Sequence, residues 1–165
     1  MRDNPILQTD AYDLSQDLNM LRAYVAGPYE ANSEHLIRKN IEAARAEAEL
    51  LWTLGFSVLC PHLNTAQMGG VVPYIQIMEG DLSWVSVSDL LVCIGSWQKS
   101  PGAREEVNMA EKCEVPVFQH RWPEGPYENI YCPPQSPLWD LVSQKSQLSI
   151  VEFRELNKGL SYGAE

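Results

Sequence analysis

Glu106 is a carboxylate standing where the sequence pattern asks for a hydrocarbon. From Ser100 to Cys113 the chain reads S-P-G-A-R-E-E-V-N-M-A-E-K-C. At about 100° of rotation per residue this segment forms an amphipathic helix, with Ala103, Val107, Met109, Ala110 and Cys113 on one side and Arg104, Glu105, Asn108, Glu111 and Lys112 on the other. Glu106 projects inside the apolar stripe and its neighbour Glu105 does not. A half-buried carboxylate costs free energy unless it is hydrogen-bonded or paired, and such groups cluster at functional sites. Asp81 borders the apolar stripe of the preceding helix, and Tyr24 lies in an early strand. Two carboxylates and a phenol suit substitution at a glycosyl carbon: one carboxylate attacks or stabilises the carbon, the other handles protons, and the phenol orients the nucleophile. Ser100 and Gly102 open the Glu106 helix, where unpaired backbone N–H groups and the helix dipole favour an anion.

The elements that position these residues follow from punctuation and periodicity. Residues 1–20 are polar and without sustained period, and read as an extended arm; the domain proper is expected over 21–165. Leu21 to Gly27 (L-R-A-Y-V-A-G) is an apolar run closed by Gly-Pro, a strand and a forced turn. Ser33 caps a long helix with the stripe Ile37, Ile41, Ala44, Ala48 and Leu51, ended by Gly55. Phe56 to Cys60 is a second strand, stopped by Pro61. Pro73 starts another helix with the stripe Ile75, Met78, Leu82 and Val85. Asp89 to Gly95 reads as a buried central strand, and Val115 to Phe118 as a fourth. From Arg121 to Pro137 the pattern dissolves into Pro and aromatics. Leu138 to Ser143 reads as a helical turn or two, Ser149 to Lys158 as a terminal helix, with Leu148 to Phe153 as an alternative fifth strand.

Strands alternating with helices predict a single-domain α/β fold of the Rossmann-like or flavodoxin-like kind, a parallel sheet of four to five strands with helices on both faces. Ligands then gather beyond the carboxyl ends of the strands. That rule selects the loops Gly27 to Asn32, Pro61 to Gly70 and Ser96 to Gly102, and with them Pro28, Tyr29, His62 and Trp97 as substrate contacts.

Composition narrows the partners. A net charge of −10 with only 12 Lys and Arg speaks against a nucleic-acid polymer and for a small molecule. No apolar run approaches the ~20 residues of a membrane span, and Asp3, Asp10, Asp13 and Asp17 leave no basic or apolar leader, so a cytoplasmic protein is expected. Cys60, Cys93, Cys113 and Cys132 show no C-x-x-C spacing; they read as reduced thiols, and no metal is expected. Neither G-x-G-x-x-G nor a Walker-type loop occurs, so no cofactor is expected.

Each candidate has an ordinary explanation when taken alone. A Glu in an apolar stripe is commonly salt-bridged, Tyr24 in a strand is commonly core, Ser100 serves as a helix cap, Asp89 as a turn residue, and His62 as a surface histidine. Trp84, Trp97, Trp122 and Trp139 suit packing as well as base stacking, with Trp97 placed in the right loop.

Order and spacing add a likeness. The run DLSWVSVSDLLVCIGSWQKSPGAREEVNMA from Asp81 to Ala110, together with YVAGPY from Tyr24 to Tyr29, resembles the nucleoside 2-deoxyribosyltransferase superfamily over roughly residues 21–118. Within it the nearer likenesses are the 2'-deoxynucleoside 5'-phosphate N-hydrolases and a small group with a Y-x-A-G-P-Y start. The resemblance implies Glu106 as nucleophile, Asp81 as helper of proton transfer or base departure, Tyr24 as contact to the nucleophile, and Ser100 as a ligand to a 5'-phosphate or hydroxyl. It implies that Gly27 admits the sugar close to the backbone, and that the protein is a homodimer or higher homo-oligomer. At Pro28, Tyr29 and Glu30 the chain departs from the monophosphate hydrolases, which place serine and a nearby basic residue there. The expected activity is cleavage of the base–sugar bond of a nucleoside or nucleoside 5'-monophosphate, with base exchange and a non-catalytic nucleotide-binding or sensing module as alternatives.

Overall fold

A computed structural model describes residues 20–159; apart from Met20, the arm expected over 1–20 lies outside them. Strand β1 (Arg22–Ala26) is buried from its second residue onward. Helix α1 (Glu34–Thr53) starts where Ser33 Oγ accepts the Leu36 N–H, satisfying a donor the helix leaves unpaired. It gives way to Gly55, whose φ of +93° is one that side-chain-bearing residues rarely adopt. Strand β2 (Ser57–Leu59) follows, and Pro61 begins the single turn α2 (Pro61–Asn64). Then come α3 (Tyr74–Val85), β3 (Leu90–Cys93), a 3-10 turn (Trp97–Lys99), α4 (Pro101–Lys112) and β4 (Val117–His120). The chain closes with β5 (Tyr127–Tyr131), α5 (Trp139–Val142), β6 (Gln147–Leu148) and α6 (Ile150–Gly159).

The six strands form one sheet in the order β2-β1-β3-β4-β5-β6. Strands β1 to β4 pair in parallel, β5 runs against β4, and β6 runs against β5. The α/β class with a mostly parallel sheet is as expected; the strand number is not, since four to five were expected and the described residues form six. Strand β5 was lost in the Pro-rich tail because Y-E-N-I-Y mixes polar and aromatic residues, and its middle is only half-buried. Residues Ile150 to Phe153 belong to α6, so the alternative strand from Leu148 to Phe153 reduces to its first residue, paired in β6.

Two apolar layers hold the sheet. On one face Ala23, Val25, Leu90, Val92, Phe118 and Tyr127 pack against Ala44, Ala48 and Leu51 of α1 and Phe153 and Leu156 of α6. On the other, Tyr24, Ala26, Leu91, Cys93 and Val117 pack against Val85 of α3 and Val107 and Ala110 of α4. Helix α3 is rotated relative to the expected stripe: Met78, Asp81 and Val85 are its buried residues, while Ile75 is 65% exposed. Asp81 thus sits within the buried face, not at its border. In α4, Cys113 is exposed although its angular position put it on the apolar side, because it follows the last helical residue. Strand β4 begins two residues later than expected, and it buries Gln119 and His120 as well as Val117 and Phe118.

The first face conceals a polar cluster that periodicity did not suggest. Glu47 of α1 takes a hydrogen bond from Tyr127 Oη at 2.9 Å and pairs with His120 Nδ1. All three side chains are buried. The rings of His120 and Tyr127 stack at 4.3 Å, and Tyr127 stacks in turn on Phe153 at 3.7 Å. Among the described residues no helix is long and apolar enough to cross a membrane.

Candidate active site

The site is built on the α3/α4 face, at the carboxyl ends of β1 and β3. Pro101 has no N–H to leave unpaired at the first position of α4, and Ser100 Oγ accepts the Ala103 N–H at 3.3 Å. Helical rotation then carries Ala103, Glu106, Val107 and Ala110 down onto the sheet. Glu106 meets Tyr24, whose hydroxyl donates to Glu106 Oε1 at 2.8 Å. Glu106 is 6% exposed and Asp81 8%. The charge of Asp81 reaches both Tyr24 and Glu106, so the three groups converge on one face of the sheet.

Burial dominates their ionisation. It pushes Glu106 up to about 8; the Tyr24 hydrogen bond opposes that rise and the Asp81 charge adds to it. Burial alone brings Asp81 up to about 6. Tyr24 is driven far above its ordinary value by burial and by the two carboxylates, so it remains a phenol that donates. The thiols flanking the site are held neutral in the same way: Cys60 rises to about 11 and Cys93 well above its ordinary value, each also feeling Glu106. The arrangement is a pair of buried carboxyls that ionise near 8 and near 6, the higher one, Glu106, held by a neutral donor. Removing the donor has a defined sign. Tyr24→Phe is expected to raise the Glu106 ionisation above about 8, read by ¹³C NMR titration of the carboxyl carbon; a downward shift or none contradicts this account of the pair.

The remaining sequence candidates are held by contacts of their own. A Cβ placed on Gly27 would lie 2.5 Å from Ile94 Cγ1, so the Ile94 side chain, just past β3, by itself demands glycine here. Gly27→Ala should cost about 1–3 kcal/mol by overpacking, measurable as a lower urea midpoint. Pro28 O receives His62 Nε2 at 2.9 Å, Tyr29 O receives Asn40 Nδ2 at 3.1 Å, and Tyr29 Oη accepts the Gln67 N–H at 3.3 Å. His62 is therefore buried, not a surface histidine. Burial lowers its pKa, so the ring is neutral; the Pro28 carbonyl requires the proton on Nε2, which leaves Nδ1 a bare acceptor without a partner.

At the start of α4 the Ala103 and Arg104 N–H groups are taken by Ser100. Gly102 keeps its N–H, and its Cα faces Tyr74 and Met78 of α3. Trp97 stands in the loop between β3 and α4, packs against the cluster that contains Tyr24, and donates through Nε1 to Gln119 Oε1 at 3.3 Å. The structure therefore brings Tyr24, Asp81 and Glu106 together, with Trp97 packed on the same cluster, and places Gly27, Pro28, Tyr29 and His62 as an interlocked corner at the end of β1. Gln119 was missed by sequence reading; its signal was a polar residue in an otherwise apolar strand, the pattern that singled out Glu106. Among the described residues no group of three or more His, Cys, Asp or Glu side chains is placed to hold a metal ion.

A family described as a domain of unknown function, DUF4406, matches residues 21–119. The chain belongs to this family. The DUF4406 region runs from the residue before β1 to Gln119 in β4, so it includes Tyr24, Asp81, Trp97 and Glu106 and excludes β5, α5, β6 and α6. Comparison with curated proteins gives no significant match. Among solved structures, a 2-deoxyribosyltransferase from the psychrotolerant bacterium Bacillus psychrosaccharolyticus is 18% identical, with 59% of this chain and 70% of that one covered and a TM-score of 0.48. A conserved protein from Enterococcus faecalis V583 is 19% identical, with 84% of this DUF4406 chain and 87% of its own length covered and a TM-score of 0.46.

Proposed function

We propose that this DUF4406 protein is an N-glycosidase that cleaves the base–sugar bond of a nucleoside or nucleoside 5'-monophosphate through a Glu106 nucleophile. The observation that carries this reading is the buried hydrogen bond from Tyr24 to Glu106 with Asp81 within charge reach; the resemblance of the D-L-x-W and S-x-G…E segments supports the same roles. In the reactive form the pair's single proton is on Asp81, the less populated arrangement given ionisations near 8 and near 6, and the Glu106 carboxylate attacks the anomeric carbon as the glycosidic bond breaks. The bonding electron pair leaves with the base, which takes a proton from the Asp81 carboxyl. Water then attacks the same carbon, the bond to Glu106 breaks, and the Asp81 carboxylate receives the water's proton. Tyr24 holds the Glu106 oxygen that is not attacking.

Base exchange is the second reading, favoured by the depth of Glu106: a nucleophile shielded from water lets an intermediate persist until a second base arrives. Incubating the protein with a 2'-deoxynucleoside panel, with and without a second free base, and resolving the products by chromatography separates the readings. Free base alone supports hydrolysis, a new nucleoside supports transfer, and binding without either product supports a non-catalytic module. A Glu106→Ala protein that still releases base at the wild-type rate would remove the nucleophile assignment.

A further inference from the structure

The contact between Trp97 and Gln119 leaves one chemical group unused. An indole N–H only donates, so Gln119 turns its amide oxygen toward Trp97 Nε1 and its amino group away. Gln119 is 7% exposed. Its amino group has no hydrogen-bond partner among the described residues, yet the sealed side-chain atoms without partners are His62 Nδ1, His120 Nε2 and Asn129 Oδ1. The Gln119 amino group therefore reaches accessible space from an otherwise buried side chain.

Its position is on the site's side of the sheet. Gln119 is the register partner of Cys93 on β3, and both Cys93 and Trp97 belong to the layer that holds Tyr24 and Val107. The thiol of Cys93 feels the Glu106 charge. Tyr24 pairs with Leu91 and Ala26 with Cys93, so Gln119 lies two residues nearer the carboxyl edge of the sheet than the row holding Tyr24. A half-buried indole held at its N–H is restrained in rotation and offers a flat wall.

We propose that Trp97 and Gln119 form a nucleobase-recognition pair, in which the indole stacks on the base and the Gln119 amino group donates to a carbonyl oxygen on the base edge. This rests on the proposed function only in taking the substrate as a nucleoside. Stacking on an aromatic side chain tolerates any base, so the amide supplies the choice between a keto edge, which accepts, and an amino edge, which donates.

The test uses the Glu106→Gln protein, so that ligand is not consumed, and measures binding by calorimetry for two pairs: 2'-deoxyinosine with 2'-deoxyadenosine, and 2'-deoxyuridine with 2'-deoxycytidine. The keto member of a bound pair should bind roughly tenfold more tightly, the scale of one hydrogen bond made or left unmade. Adding Gln119→Glu keeps an acceptor for Trp97 but replaces the donors, and should abolish or invert that preference. Adding Trp97→Ala should weaken both members roughly tenfold or more. Gln119→Met, which loses the preference without gaining charge, replaces Gln119→Glu if far-UV circular dichroism shows the latter unfolded. An unchanged ranking in the Gln119 variants, equal affinities in the wild-type pair, or no binding at all overturns the inference. Binding with the expected ranking, but no base release by the wild-type protein, leaves the recognition pair standing and removes the glycosidase.

Discussion

Glu106→Gln is expected to abolish the proposed base release and, above about pH 8, to make the protein harder to melt than the wild type. The first effect follows from removing the attacking oxygen; losses on the order of 10³-fold or more are typical when a nucleophile is deleted. The second follows from linkage. The carboxyl ionises at about 8 in the folded chain against an ordinary 4.5, so its folded-state pKa is raised. Its favourable contribution is fully present below about 4.5, declines as pH rises, and is lost once pH passes about 8. Glutamine fills the same space, accepts from Tyr24, and never ionises. The variant should therefore gain on the order of 2–4 kcal/mol over the wild type at pH 9, with little difference at pH 4. Thermal melts at both pH values check this, and a wild type that is the more stable protein at pH 9 contradicts it. Asp81 ionises at about 6, so the pair as a unit loses its protons near 6 and near 8. A reaction that needs one carboxylate and one proton in that pair should show a bell-shaped kcat/KM profile centred near neutrality.

Glu47→Leu carries the other large effect, on the opposite face of the sheet. It strips the acceptor from both Tyr127 Oη and His120 Nδ1, two groups sealed from water. Leaving a buried polar group unpaired costs about 1–3 kcal/mol, so the expected loss is about 2–6 kcal/mol, a large fraction of the stability of a domain this size. The damage should be greatest in β5 and α6, because Tyr127 stacks on both His120 and Phe153. Urea unfolding measures the total and amide hydrogen exchange locates it. A loss under about 1 kcal/mol, or one spread evenly over the sheet, would mean that the cluster does not anchor the tail.

What could be read from the chain depended on whether local pattern and tertiary demand coincided. In α4 they did: Ser100, Pro101 and the apolar spacing mark a helix, and a carboxylate inside the stripe is visible as a conflict. In α3 they did not, because Ile75 and Leu82 offered an apolar stripe that the fold leaves partly open, and Asp81 turned inward instead. Glu47 escaped notice among the many charges of α1, since burial of one glutamate in E-A-A-R-A-E-A-E depends on which partners arrive from β4 and β5, some 70 to 80 residues away. The resemblance ties Gly27 to the close approach of a sugar; the structure adds a packing demand from Ile94, just past β3, a contact that spacing cannot reveal. Strand β5 has little apolar alternation because it pairs near the sheet's end and half-buries its middle.

Strand β4 anchors both layers through consecutive polar residues: Gln119 reaches Trp97 on one side and His120 reaches Glu47 on the other. Sliding the strand by one position would exchange these two side chains between the faces. The amide would then confront Glu47 and Tyr127, and the imidazole would enter the layer holding Glu106. Both partnerships break together under such a slip, whereas apolar neighbours such as Val117 and Phe118 could trade places at lower cost. The two hydrogen bonds thus favour a single alignment of β4, and the register that completes the core also sets the wall of the candidate site.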